Sequence, residues 1–165
     1  DDNDGEPLQT LTITGIDISN FTDIAISGLF AAGNPNPPGS GGYDLADVFQ
    51  LNYRVDGGAE QNGIWFNYEF LDDEINEPIA NDTNFDGYGD GTRLTGAMQR
   101  FSSNLPIAAG TTLDLIIYVS MSGANEEVAF DSIQVTGTSA VPEPSTYAIF
   151  AGVIALAAVT IRRRR

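Results

Sequence analysis

The residues best suited to chemistry lie in Asn81-Asp82-Thr83-Asn84-Phe85-Asp86-Gly87-Tyr88-Gly89-Asp90-Gly91. Asp82, Asn84 and Asp86 alternate and are followed by Gly87, so three side-chain oxygens can converge on one point while the glycine permits a sharp turn. That chemistry is calcium binding. The pattern is half complete, because Arg93 occupies the position at which a helix-flanked calcium loop carries its bidentate glutamate, and no strong helix flanks the stretch. The reading is a looser calcium loop of Asp82, Asn84, Asp86 and Asp90. The plain alternative is that Asp, Asn and Gly are what any turn uses.

A second acidic run, Asp72-Asp73-Glu74 with Glu77, holds enough carboxylates for the acid and base of a glycosidase. Spacing alone does not make such a pair: one carboxyl must be desolvated and the two must oppose each other across a sugar, whereas adjacent loop acids are solvated. No catalytic residue is assigned, and the expectation is that the chain is not an enzyme. Trp65, Tyr43 and Tyr88 offer flat faces able to stack on a pyranose. A lone tryptophan is more often core than platform.

Composition removes whole classes of function. The 165 residues include no histidine, no cysteine and no lysine. Histidine-based triads, thiolate nucleophiles, thiolate zinc sites and disulfides are therefore absent. Setting aside the four terminal arginines and Glu143, the net charge of -16 becomes -19 on residues 1–141. Nucleic acid is excluded as a partner, because a phosphate backbone needs a basic face. Divalent cations, or glycans bridged by them, suit such a surface. So does plain solubility in salty water.

The elements that must position these residues read as strands. From Leu8, Leu11 and Ile13 alternate with threonines, Ile16 and Ile18 follow Gly15, and Thr22 to Phe30 continues the period of two. Residues 31–43 are rich in Pro and Gly and read as a loop. Phe49, Leu51, Tyr53 and Val55, then Ile64, Phe66, Tyr68 and Phe70, flank Asp56-Gly57-Gly58, predicting a hairpin with Trp65 on the face opposite the aromatic row. A long acidic loop follows. Leu94 to Phe101 is a weaker strand, and Leu113 to Val119 a stronger one. In the last strand, about Glu127 to Thr136, Val128 and Phe130 share one phase and Ile133 and Val135 the other, which predicts a bulge near Asp131-Ser132.

The C-terminus has a different character. Val141-Pro142-Glu143-Pro144-Ser145 precedes an uncharged run from Ala148 to Ile161 that is apolar all round, and Arg162, Arg163, Arg164 and Arg165 close the chain. About fifteen residues at about 1.5 Å each cover roughly 22 Å of a hydrocarbon core near 30 Å, so the span is short and needs thinning or snorkelling. The arginines hold its C-terminal side in the cytoplasm and place everything before it outside. Pro142 and Pro144 keep the preceding motif extended.

These three features, in this order, resemble the PEP-CTERM sorting signal of Gram-negative bacteria. The resemblance implies cleavage near Pro-Glu-Pro by an exosortase, a single-pass inner-membrane intermediate, and delivery to the cell envelope or exopolysaccharide matrix. It implies nothing about the cargo fold. Asp1 follows no basic, apolar leader, so the expectation is that an export signal was removed or that the chain belongs to a longer one.

The string Glu126-Glu127-Val128-Ala129-Phe130-Asp131-Ser132-Ile133-Gln134-Val135 is similar to the closing strand of secreted jelly-roll modules, carbohydrate-binding ones among them. In such modules a structural calcium sits between the first and last strands, which would pair Asp131 with Asp17; a side chain satisfying the bulge amides is the plainer reading.

The expected fold is all-β, an antiparallel β-sandwich of jelly-roll type followed by a single short C-terminal transmembrane helix. Residues 1–7 are a linker end, 8–137 the sandwich, 138–146 the linker with Pro-Glu-Pro, 147–161 the membrane helix and 162–165 the cytoplasmic basic cluster. The expected role is that of an exported, non-catalytic structural or adhesive protein. A carbohydrate-binding module for exopolysaccharide, with calcium as candidate cofactor, stands second and a polysaccharide hydrolase third.

Overall fold

The computed structural model describes residues 7–33, 42–69, 78–123 and 126–140. Among them run eight strands: β1 (Gln9–Asp17), β2 (Phe21–Gly33), β3 (Val48–Val55), β4 (Gln61–Tyr68), β5 (Ile79–Asp82), β6 (Gln99–Asn104), β7 (Thr112–Ser120) and β8 (Glu127–Ser139). All pairings are antiparallel, in one sheet ordered β1-β7-β3-β4-β5 and another ordered β6-β2-β8. The described residues contain no helix. The apolar segment 147–161, the arginines 162–165, the Pro-Glu-Pro motif and the acidic run Asp72, Asp73, Glu74 and Glu77 lie outside the described residues.

Alternation explains why the two sheets meet. Ile24, Ile26 and Phe30 of β2 are buried, as are Phe49, Leu51 and Tyr53 of β3, Ile64, Phe66 and Tyr68 of β4, and Leu113, Leu115 and Ile117 of β7. They form one core between the sheets. Its centre is aromatic: the Phe66 ring lies 4.9 Å from Phe30, 5.2 Å from Phe49 and 4.9 Å from Phe101. Burying each such ring contributes about 2–3 kcal/mol, which makes this cluster a main source of stability.

The predicted hairpin is β3–β4, with Phe49 opposite Phe66 and Gln50 opposite Trp65. Asp56 (φ 51°) and Gly57 (φ 67°) are both left-handed, as a primed turn demands, and the Gly58 N–H donates to the Val55 carbonyl at 2.9 Å. The register shifts once, between Leu51 and Asn52. Opposite that shift a Cβ on Gly63 would stand 2.5 Å from the Leu51 carbonyl oxygen, so only glycine lets the strands close there.

The bulge expected in the last strand is present. The β2–β8 register slips between Ser27 and Leu29, with Ser132 at φ 51°. Val128, Phe130, Ile133 and Val135 all pack against the core as a result. Two boundaries differ from the sequence reading. The strand expected over 94–101 is β6 at Gln99–Asn104, because the Gln99 side chain caps the Thr95 N–H at 2.9 Å and turns the chain, leaving Arg93 in a single bridge to Ala80. Ile79–Asp82, read as part of a loop, is β5: four residues carry too little periodicity to announce a strand that long-range pairing with β4 creates.

Candidate functional site

Asp82 ends β5 opposite Trp65 and is 1% exposed. Its Oδ1 accepts the Phe85 N–H at 2.6 Å, and its Oδ2 accepts the Gly87 N–H at 3.0 Å and the Asn67 Nδ2 at 2.8 Å. Three donors meet the lone pairs of a buried carboxylate, the condition under which burying one is tolerable. The loop folds over this anchor, with Phe85 left-handed at φ 62° and Gly87 at φ 97°.

The neighbouring acids close smaller turns. Asn84 Oδ1 accepts the Asp86 N–H at 3.0 Å, Asp86 Oδ1 accepts the Tyr88 N–H at 3.0 Å, and Asp86 Oδ2 accepts the Asn84 Nδ2 at 3.1 Å. Asp90 Oδ1 accepts the Thr83 N–H at 2.7 Å and the Thr83 hydroxyl at 2.8 Å; these bonds, the backbone one foremost, hold its carboxyl below the usual range. Each of the four expected ligands thus serves amides or hydroxyls of the loop itself, and Asp82 the Asn67 side chain of β4 as well. Among the described residues no three acidic side chains are grouped to hold a metal ion.

The other expected pair behaves likewise. Asp17 Oδ1 accepts the Ser19 hydroxyl at 2.7 Å and the Ser19 N–H at 2.9 Å, which hold its carboxyl below the usual range, the hydroxyl bond contributing most. Asp131 Oδ1 accepts the Ser132 N–H at 2.6 Å, at the bulge. Asp17 borders a groove with Val135, Thr136 and Gly137.

Of the three aromatic residues, Trp65 stands on the outer face of the five-stranded sheet, half-buried. Its Nε1 donates to Asn52 Oδ1 at 2.5 Å, Asn52 Nδ2 donates to Glu60 Oε1 at 2.8 Å, and Arg54 at 2.7 Å and the Tyr118 hydroxyl at 3.0 Å both donate to Glu60 Oε2. Burial alone would push Glu60 up, but the bonds from Asn52, Arg54 and Tyr118 outweigh it and the carboxyl settles below the usual range. Phe85 meets the indole edge-on at 5.5 Å. Tyr88, 41% exposed, packs instead on Tyr68. Tyr43 is 1% exposed, and its hydroxyl donates to the Gly33 carbonyl at 3.1 Å and the Glu127 carbonyl at 2.9 Å. Burial, then the charge of Glu126, pushes this phenol up. The structure therefore gathers Trp65, Phe85, Asn52 and Glu60 on one face and places Tyr43 in the core.

Sequence reasoning passed over a further cluster. Asp47, 7% exposed, accepts the Asp44 N–H at 2.7 Å on Oδ2 and the Ser122 N–H at 2.7 Å on Oδ1. The Glu126 carboxylate takes the Gly123 N–H and lies against Asp47. Burial first, and then the charge of Asp47, raises Glu126 to about 7; burial likewise raises Asp47. Nothing local signals this pair, since its members come from separate loops. Asn52 and Glu60 had a signal: strand register places Asn52 on the face of Trp65.

Comparison with known proteins adds one match. Residues 140–165 fit the family model described as the PEP-CTERM protein-sorting motif. No curated protein and no solved structure matches the chain.

Proposed function

With a PEP-CTERM sorting motif at residues 140–165, the chain is marked for exosortase processing and for export to the cell envelope or extracellular space, and from that premise we propose a role for the domain it carries. The acidic β-domain is a non-catalytic structural or adhesive component of the envelope or exopolysaccharide matrix of a Gram-negative bacterium. It reaches that place through a single-pass inner-membrane intermediate held by residues 147–161. The observation that carries the reading is the sorting motif attached to a domain whose well-placed carboxylates, Asp82, Asp56, Asp90 and Glu60, all serve structural hydrogen bonds. In an exosortase-bearing host, the wild-type chain is expected to lose its C-terminal segment and leave the inner membrane. Replacing Pro142, Glu143 and Pro144 with alanine should leave it uncut in that membrane. Release of the triple variant at the wild-type rate would refute the assignment.

A second reading is favoured by the half-buried indole of Trp65 set among Asn52, Glu60 and Phe85. It makes the outer face of the larger sheet a platform for exopolysaccharide, with amides and a carboxylate beside an aromatic ring. Binding to a glycan array that disappears in Trp65→Ala supports it. Calcium belongs to this reading through the loop of Asp82, Asn84, Asp86 and Asp90; a melting temperature that does not move between millimolar calcium and chelator removes calcium from it.

A further inference from the structure

The two sheets are unequal, and the inequality leaves one side of the sandwich open. Leu11 and Ile13 of β1 stand opposite Ile117 and Leu115 of β7, which are 2% and 1% exposed, so all four point to the same face of the sheet. Yet Leu11 is 48% and Ile13 39% exposed. The three-stranded sheet ends at β8, and although Ile16 at the far end of β1 packs against the core, Leu11 and Ile13 do not reach it. Two grooves run along this seam: one is bordered by Gln9, Val119 and Val128, the other by Ile16, Phe21 and Val135.

The outer edge of β1 is equally unusual. Edge strands are ordinarily blunted with charges or proline. Here Gln9 to Ile16 carries neither, in a chain whose net charge is -16. Thr10-Leu11-Thr12-Ile13-Thr14 is also nearly the same read in either direction. Antiparallel pairing of this strand with itself about Thr12 sets Thr12 against Thr12, Leu11 against Ile13 and Thr10 against Thr14. Every apolar side chain then meets an apolar one on the inner face, and every threonine meets a threonine on the outer face. Self-complementarity of this kind is what a two-fold symmetric contact requires.

We propose that the outer edge of β1, unpaired among the described residues, is a homodimer interface, filled by β1 of a second copy of this chain. The paired strands join two five-stranded sheets into one of ten and cover Leu11 and Ile13 of both copies. Gln9 to Ile16 brings no carboxylate to this edge, so two such acidic chains approach there without setting carboxylate against carboxylate.

The test uses the full chain in detergent at high salt, where screening removes the long-range repulsion. Because the chain contains no cysteine, a single introduced thiol reports position without ambiguity. Thr12→Cys is expected to form a disulfide-linked dimer on mild oxidation, and Ala97→Cys, in the exposed turn before β6, is expected not to. Thr12→Lys and Thr12→Glu, on an exposed outer-face position, should each fold and each lose the dimer, because like charges then stand directly opposite. An equal mixture of the two should restore it. A wild-type chain that stays monomeric, a Thr12→Lys chain that dimerises as wild type does, or a mixture that stays monomeric would each overturn the proposal.

Discussion

Asp82 and Asp47 are the two buried acids of the described residues, and their surroundings are opposite in kind. Asp82 meets three N–H donors and no other acid among its hydrogen-bond partners. Asp47 meets two backbone N–H groups but lies against Glu126, which burial and like charge raise to about 7. The first arrangement closes a loop over one carboxylate whose partners are all donors. The second holds two loops together best when one carboxyl is protonated, so that corner of the molecule answers to pH.

The sharpest way to break the comparison is to remove the anchor. Asp82→Ala leaves Asn67 Nδ2 and the N–H groups of Phe85 and Gly87 without their acceptor, and is expected to lower unfolding free energy by about 2–4 kcal/mol in urea titration. Asp82→Asn, which keeps the shape but not the charge, should fall between. A loss within error for both would mean that the loop holds itself.

Asp56 extends the comparison to a carboxylate with donors but without burial. Its Oδ1 accepts the Thr111 hydroxyl at 2.7 Å, the Thr112 N–H at 2.8 Å, the Thr111 N–H at 3.0 Å and the Thr112 hydroxyl at 3.2 Å, and these bonds, the Thr111 hydroxyl first, lower its pKa to about 2. A lowered folded pKa means stability that is present above the ordinary carboxylate value and lost as pH falls through about 2. Asp56→Asn should therefore melt lower than wild type at neutral pH, with the difference vanishing in strong acid.

Glu126 carries the opposite sign. Its folded pKa of about 7 lies above the ordinary value of 4.5, so its contribution is full below that ordinary value and is lost as pH rises through about 7. The wild-type melting temperature is expected to fall by a few degrees between mildly acidic and mildly alkaline pH. Glu126→Gln, a stand-in for the protonated acid, should flatten that profile and raise the alkaline end. A wild-type profile already flat over this range would remove the distinction between the two corners. The smallest effect is expected at Arg54, whose 2.7 Å ion pair with Glu60 is 44% exposed on the arginine side. Arg54→Ala should cost less than about 1 kcal/mol, since Asn52 and Tyr118 still hold Glu60.

Much of the strand plan was legible because half-buried strands repeat every two residues. The hairpin around Asp56-Gly57 and the bulge at Ser132 both follow from phase alone, the second because Val128 and Ile133 cannot otherwise share a face. β5 was not legible: Ile79 and Ala80 become a strand only by pairing with Tyr68 and Asn67. Of the expected site, Trp65 was placed on the correct face by register, whereas Tyr43 has no local mark of the carbonyls of Gly33 and Glu127 that bury it.

The sequence by itself determined the sorting motif, the net negative charge and the alternating strands, because each is a property of residue type and short-range spacing. Only the tertiary structure decided that Asp82 is sealed beneath its own loop, that Asp47 and Glu126 meet, and that Leu11 and Ile13 stay exposed on the face where Leu115 and Ile117 are buried. Those outcomes depend on which strands become neighbours. Contacts between residues far apart in the chain set that choice, and local pattern does not record them.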